Sequence, residues 1–165
     1  MELRRGTLSD LNIETGIVIS LGHGTTEIMA YHEYEQIDGV SLIKASDRIL
    51  EQLGGNKFLK HDYIAQHAAE IKPAVEDFIA EVVNNVRKLK DGIQDDEIEE
   101  MPIIITGGGV NIPGVQEQLK AKMPYKYQIA KDATFSIARG LYKNIAMQDV
   151  QQTEDVVTVP QITTS

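Results

Sequence analysis

Apolar residues follow two spacings along the chain, and the change from one to the other predicts its elements. Ile17 to Leu21 is a compact β-branched run, the composition of a buried strand, and Thr26 to Tyr31 alternates well enough to be its antiparallel partner. Tyr34 to Asp38 reads as a short third strand. Gly39-Val40 then opens a predicted helix with Leu42, Ile43, Ile49, Leu50 and Leu53 on one stripe, stopped by Gly54-Gly55-Asn56. Lys57 to Lys90 reads as a helical insertion of two helices, with Pro73 suited to the first turn of the second. In that second helix Val75, Phe78, Ile79, Val82, Val83, Val86 and Leu89 recur at i, i+3, i+4 and i+7. A core-facing stripe explains this pattern better than a membrane or partner-helix role.

Asp91-Gly92 reads as a turn. The acidic run Asp95-Asp96-Glu97 with Glu99-Glu100 lacks the glycine-spaced loop of a calcium hand and reads as a solvated linker. Met101 to Thr106, with three successive isoleucines, is a fully buried strand by composition and delivers Gly107-Gly108-Gly109. A short helix follows through Lys122 with Val115 and Leu119 inward, and Pro124 ends it. Tyr125 to Ile129 is a candidate edge strand, and Asp132 is placed to cap a final helix from about Thr134 to Met147. Residues 1–16 read as a lead-in or interlobe segment, 17–147 as one domain, and the polar tail from Gln148 as a disordered end.

Composition narrows what such a domain does. A formal charge of -9 argues against neutralising the phosphates of a duplex, so direct nucleic-acid binding is not expected. A mononucleotide is a different matter, because backbone amides and a divalent cation hold its phosphates without net basic charge. With no cysteine, disulfides, thiolate metal sites and thiol nucleophiles are excluded. No apolar stretch approaches the roughly 20 residues of a membrane span, and a cytoplasmic location is the expectation.

Chemistry concentrates in two glycine-rich turns. In Ser20-Leu21-Gly22-His23-Gly24-Thr25-Thr26-Glu27 the turn between strands places Gly22 and Gly24 where consecutive N–H groups can face one anion, with the Thr25 and Thr26 hydroxyls as further donors. An ordinary tight turn needs the same glycines. His23 sits on this tip, within reach of a phosphate or simply in solvent. In Gly107-Gly108-Gly109-Val110-Asn111 a strand ends on backbone bare enough for a ligand to lie against it, or for the chain to pass a crowded crossing. His61 and His67 lie six apart and do not share a helical face for a metal, and no paired-carboxylate or Ser/His/Asp context supports an independent catalytic centre.

Taken together, the two turns and the order of elements around them resemble the second, C-terminal lobe of an actin-like ATPase. The superfamily is that of actin, Hsp70 and sugar kinases, and the style is closest to ParM-type plasmid-segregation proteins and archaeal actins. The likeness spans about Ile17 to Ala146. It implies a ribonuclease-H-like α/β fold, a mixed sheet with flanking helices and the helical insertion, and ATP or ADP with Mg2+ as cofactor. Residue by residue, Gly22, Gly24, Thr25 and Thr26 would face the β- and γ-phosphates, and Gly107, Gly108 and Gly109 would lie against the adenosine and α-phosphate with Asn111 beside them. Phe135 to Tyr142 resembles the family's closing helix. Ser20 stands where the family keeps the aspartate that organises magnesium and its attacking water, and Glu27 stands where it keeps a second acid. A neutral hydroxyl offers a cation no charge, so hydrolysis is left open. The implied partners are a complementary first lobe, other copies in a filament, or an adaptor. The alternative is an interaction or scaffold module on the same fold. A small-molecule kinase is less attractive, since nothing resembles its phosphoacceptor site.

Overall fold

A computed structural model describes residues 13–54, 60–93, 100–131 and 133. The lead-in before residue 13, most of the acidic run, the closing helix and the tail lie outside the described residues. Among the described residues five strands form one mixed sheet in the order β3-β2-β1-β4-β5.

β1 (Gly16–Leu21) is central, and all six of its residues are buried. It pairs antiparallel with β2 (Thr26–His32) and parallel with β4 (Ile103–Thr106). A strand bonded on both sides and covered on both faces has no use for alternation, which is why Ile17 to Leu21 and Ile103 to Ile105 read as continuous apolar runs. β5 (Tyr127–Ile129) adds to β4 in parallel at the sheet edge. Burial raises the Tyr127 phenol above its ordinary range, so it is neutral near pH 7.

At the other edge β3 (Glu35–Leu42) runs further than expected and absorbs the predicted helix start. Gly39 and Val40 are strand residues paired with Met29 and Ile28, and the pairing continues to Thr26 and Leu42. A Cβ at Gly39 would run into the Met29 sulfur, so this glycine makes room for a core side chain and starts no helix. Ile43, assigned to the helical stripe, is 80% exposed. The helix itself, α1 (Ser46–Leu50), begins later and passes through a 3-10 turn, Glu51–Leu53, to Gly54, whose φ of 96° closes it in the left-handed region.

The helical segment beyond is two helices, α2 (His61–Gln66) and α3 (Ala68–Gly92). They divide at His67, not at Pro73, which lies inside α3. α3 also runs through Asp91-Gly92, which is not a separate turn. Proline within the early turns of a long helix forfeits one backbone bond without ending it. The predicted stripe is the buried face: Val75, Phe78, Ile79, Val82, Val83, Val86 and Leu89, with Ile71 added. It packs on Ile17, Ile19, Leu21, Ile28, Ala30, Ile103 and Ile105 in one cluster. The expected insertion therefore does not stand apart, because α3 is the helical layer of the core.

α4 (Val115–Lys122) follows β4 and buries Val115 and Leu119 as its spacing implies. Lys122 Nζ donates to the Glu76 carbonyl at 2.9 Å and ties α4 to α3. The opposite face of the sheet carries a smaller cluster of Val18, Met29, Tyr31, Ile104 and Ala130. No described helix is long and apolar enough to cross a membrane.

Candidate functional site

The two glycine turns meet at the end of β1. Leu21 leads into the hairpin tip, and the chain leaving β4 passes directly against it. Gly107 has φ 94°, and a Cβ there would collide with the Leu21 carbonyl oxygen; at Gly109 a Cβ would lie 2.9 Å from both Leu21 Cβ and its carbonyl oxygen. These two glycines answer the crowded crossing. Gly108 is different: nothing lies within 4 Å of where its Cβ would be. A 3-10 turn, Gly108–Asn111, then carries Asn111 outward, and Gln116 Nε2 donates to the Val110 carbonyl at 3.1 Å to brace it.

At the hairpin tip Gly22 N–H donates to the Thr25 carbonyl at 3.0 Å. A Cβ on Gly22 would stand 2.6 Å from that same oxygen. The requirement for glycine at position 22 is thus steric. Neither Gly22 nor Gly24 adopts positive φ, and space is open around Gly24. The tip is fastened from behind by α1. Ser46 Oγ and Ser46 N–H both donate to the Gly22 carbonyl, at 2.9 and 3.3 Å, and Asp47 N–H donates to the His23 carbonyl at 3.0 Å.

Between these turns and the helices α1 and α2 lies a cavity of about 320 Å³. His23 from the hairpin tip and Gly108, Gly109 and Asn111 from the second turn line it together. Leu50, Ile64, Ile112 and Pro113 supply an apolar wall, and Ser46 and His61 add polar edges. This volume is at the small end of small-molecule sites, and an apolar wall with a few convergent polar groups suits a planar heterocycle with hydrogen-bonding edges.

The remaining expected residues fall elsewhere. Gly24 and Thr25 are exposed at the tip outside the cavity lining. Thr26, expected beside Thr25 as a phosphate donor, is fully buried, and its Oγ1 is enclosed with no hydrogen-bond partner among the described residues. Its register opposite Leu21 and Leu42 explains this, since both flank the main core. Gly107 is occupied with Leu21.

Ser20 and Glu27 are cross-strand partners and share the sheet face opposite α3, with Thr106 beside Ser20 on β4. Ser20 is 8% exposed, and Thr106 Oγ1 donates to the Ala133 carbonyl at 2.7 Å. Among the described residues no three His, Cys, Asp or Glu side chains converge as a metal site. His67 instead accompanies Tyr63: its Nδ1 lies 2.8 Å from the Tyr63 carbonyl, and the two rings stack at 4.1 Å.

Ser46, Leu50, His61, Ile64, Ile112 and Pro113 were not among the site residues expected from the sequence. The segments that carry four of them read as helical, but helical character does not say which end of a helix borders a cavity. Misplacing the start of α1 hid Ser46 in particular.

No family model matches the sequence, and no curated protein matches it by sequence. Solved structures do match by fold. EutJ, an ethanolamine utilization protein from Carboxydothermus hydrogenoformans, superposes with a TM-score of 0.64 at 16% identity over 85% of this chain. MreB5 of Spiroplasma citri bound to AMPPNP gives 0.69 at 12% identity over 92% of this chain, and a MamK double helical filament gives 0.68 at 19% over 87%. The chain spans 54%, 60% and 58% of those three structures. The mixed five-stranded sheet with flanking helices is therefore the actin-like α/β fold that these structures share with this chain.

Proposed function

We propose that this chain is the nucleotide-binding, C-terminal lobe of an actin-like, filament-forming ATPase, taking ATP or ADP as the Mg2+ complex. The observation that carries the reading is the single cavity shared by both glycine turns, with His23 on one side and Gly108, Gly109 and Asn111 on the other. Its apolar wall fits a nucleoside, and the exposed tip at Gly24 and Thr25 is the part free to meet phosphates. The MreB5 structures with AMPPNP and ADP support the same ligand class. Magnesium ordinarily arrives with phosphates and takes one or two carboxylates. Glu27, the cross-strand partner of Ser20, is the carboxylate we assign to this role in the proposal. In the full assembly a complementary first lobe closes the site, and nucleotide hydrolysis loosens contacts between copies. The MamK filament supports self-association as the partner mode. Plasmid or DNA segregation, as in ParM-type proteins, or a cytoskeletal role in the cytoplasm with an adaptor protein, is the setting that fits.

Gly108→Val tests the cavity directly. The new side chain enters open space, so the fold should survive with an unchanged thermal midpoint, while binding of Mg-ATP measured by equilibrium dialysis should fall at least tenfold. Unchanged affinity would remove the cavity from the binding site.

Ser20 favours a second reading, a hydrolytically degenerate lobe that serves as an interaction module. Ser20→Asp in a two-lobe protein separates the two. A gain in hydrolysis marks a decayed ATPase, and high activity already present with serine would sink the scaffold reading.

A further inference from the structure

Ser46 belongs to two structures at once. Its side chain borders the cavity, and its hydroxyl and amide both hold the Gly22 carbonyl at the base of the hairpin tip. Only 6% of the residue is exposed. Asp47 N–H repeats the connection one residue along, on the His23 carbonyl. Within the tip Gly22 N–H donates to the Thr25 carbonyl, and a Cβ on Gly24 would meet nothing within 4 Å. Its orientation therefore depends on α1. At its other end α1 places Leu50 in the cavity wall.

We propose that Ser46 is a positioning residue that couples occupancy of the cavity to the conformation of the Gly22–Thr25 tip. This rests on the nucleoside reading of the cavity. A ligand that draws a hydrogen bond from Ser46 Oγ takes it from the Gly22 carbonyl and shifts that carbonyl and the tip it begins. The N–H groups of Gly24 and Thr25, which do not line the cavity, turn in response. A base bound at one end thereby sets the tip that meets phosphates at the other.

Adenosine is the discriminating probe, because it has no phosphate to touch the tip. In an NMR titration of the full chain, adenosine should move the amides of Gly108, Gly109 and Asn111 and also those of Gly24 and Thr25. In Ser46→Ala the first group should still move and the second should not, with Ser46→Thr, which keeps the hydroxyl, restoring the response. Retention of the wild-type pattern of core amide resonances in Ser46→Ala shows that the fold is intact; if that variant does not fold, the wild-type titration alone decides. Movement of the cavity amides with a static tip in the wild type would overturn the coupling and leave the cavity reading standing. Tip shifts that persist in a folded Ser46→Ala would also overturn it. Adenosine that moves neither group would overturn both.

Discussion

Leu21 shows what the glycines of this chain are for. Its carbonyl and Cβ fill the space where side chains at positions 107 and 109 would go, while positions 24 and 108 face open space. Glycines that look equivalent in the sequence therefore divide into those the fold requires and those it leaves free. Gly107→Ala combines a positive φ with a backbone clash, and should cost about 2 kcal/mol or more in chemical denaturation. Gly24→Ala should stay within about 0.5 kcal/mol. If the two variants lose stability equally, the division is wrong. Thr26 makes the complementary case. A buried hydroxyl with no partner contributes nothing to offset its desolvation, so Thr26→Val should be neutral or stabilise by up to about 1 kcal/mol. A marked loss of stability would mean that the hydroxyl has a partner in solution.

At the scale of elements, most of the sheet and the stripe of α3 were legible because each follows from a local rule. Consecutive β-branched residues mark β1 and β4, and the spacing of Val75 to Leu89 marks α3. The misreadings occurred where a distant partner decides. Gly39 belongs to β3 because of Met29 on the neighbouring strand, and nothing within Tyr34 to Leu53 reports that. Pro73 suggested a helix start, but the buried Ile71 and Val75 on either side keep α3 continuous through it. The turn between β2 and β3 is a further example, with Glu33 and Tyr34 at φ 49° and 64° and no glycine to signal it. It is secured from outside by Glu14 and Thr15, which accept the amides of Tyr34 and Glu33 at 2.8 and 3.2 Å. Left-handed backbone favours asparagine, so Glu33→Asn should raise stability by several tenths to about 1 kcal/mol, read as a higher thermal midpoint. A lower midpoint would show that the Glu33 side chain matters more than its backbone angle.

For the whole molecule, the fold is actin-like, and the chain spans little more than half of the structures it matches. The candidate site was partly legible at this scale. His23, Gly108, Gly109 and Asn111 were named from sequence and line one cavity, whereas the walls from α1 and α2 come from segments distant in the chain. The proposed nucleoside site is expected to bind weakly, in the high micromolar to millimolar range, about -4 to -6 kcal/mol. The most direct test is an NMR titration of the chain with Mg-ADP and Mg-ATP, which detects binding of that strength. The account predicts saturable shifts confined to His23, Gly24, Thr25, Gly108, Gly109, Asn111 and the cavity faces of α1 and α2. Absence of shifts at millimolar nucleotide, or shifts centred elsewhere on the sheet, would contradict it.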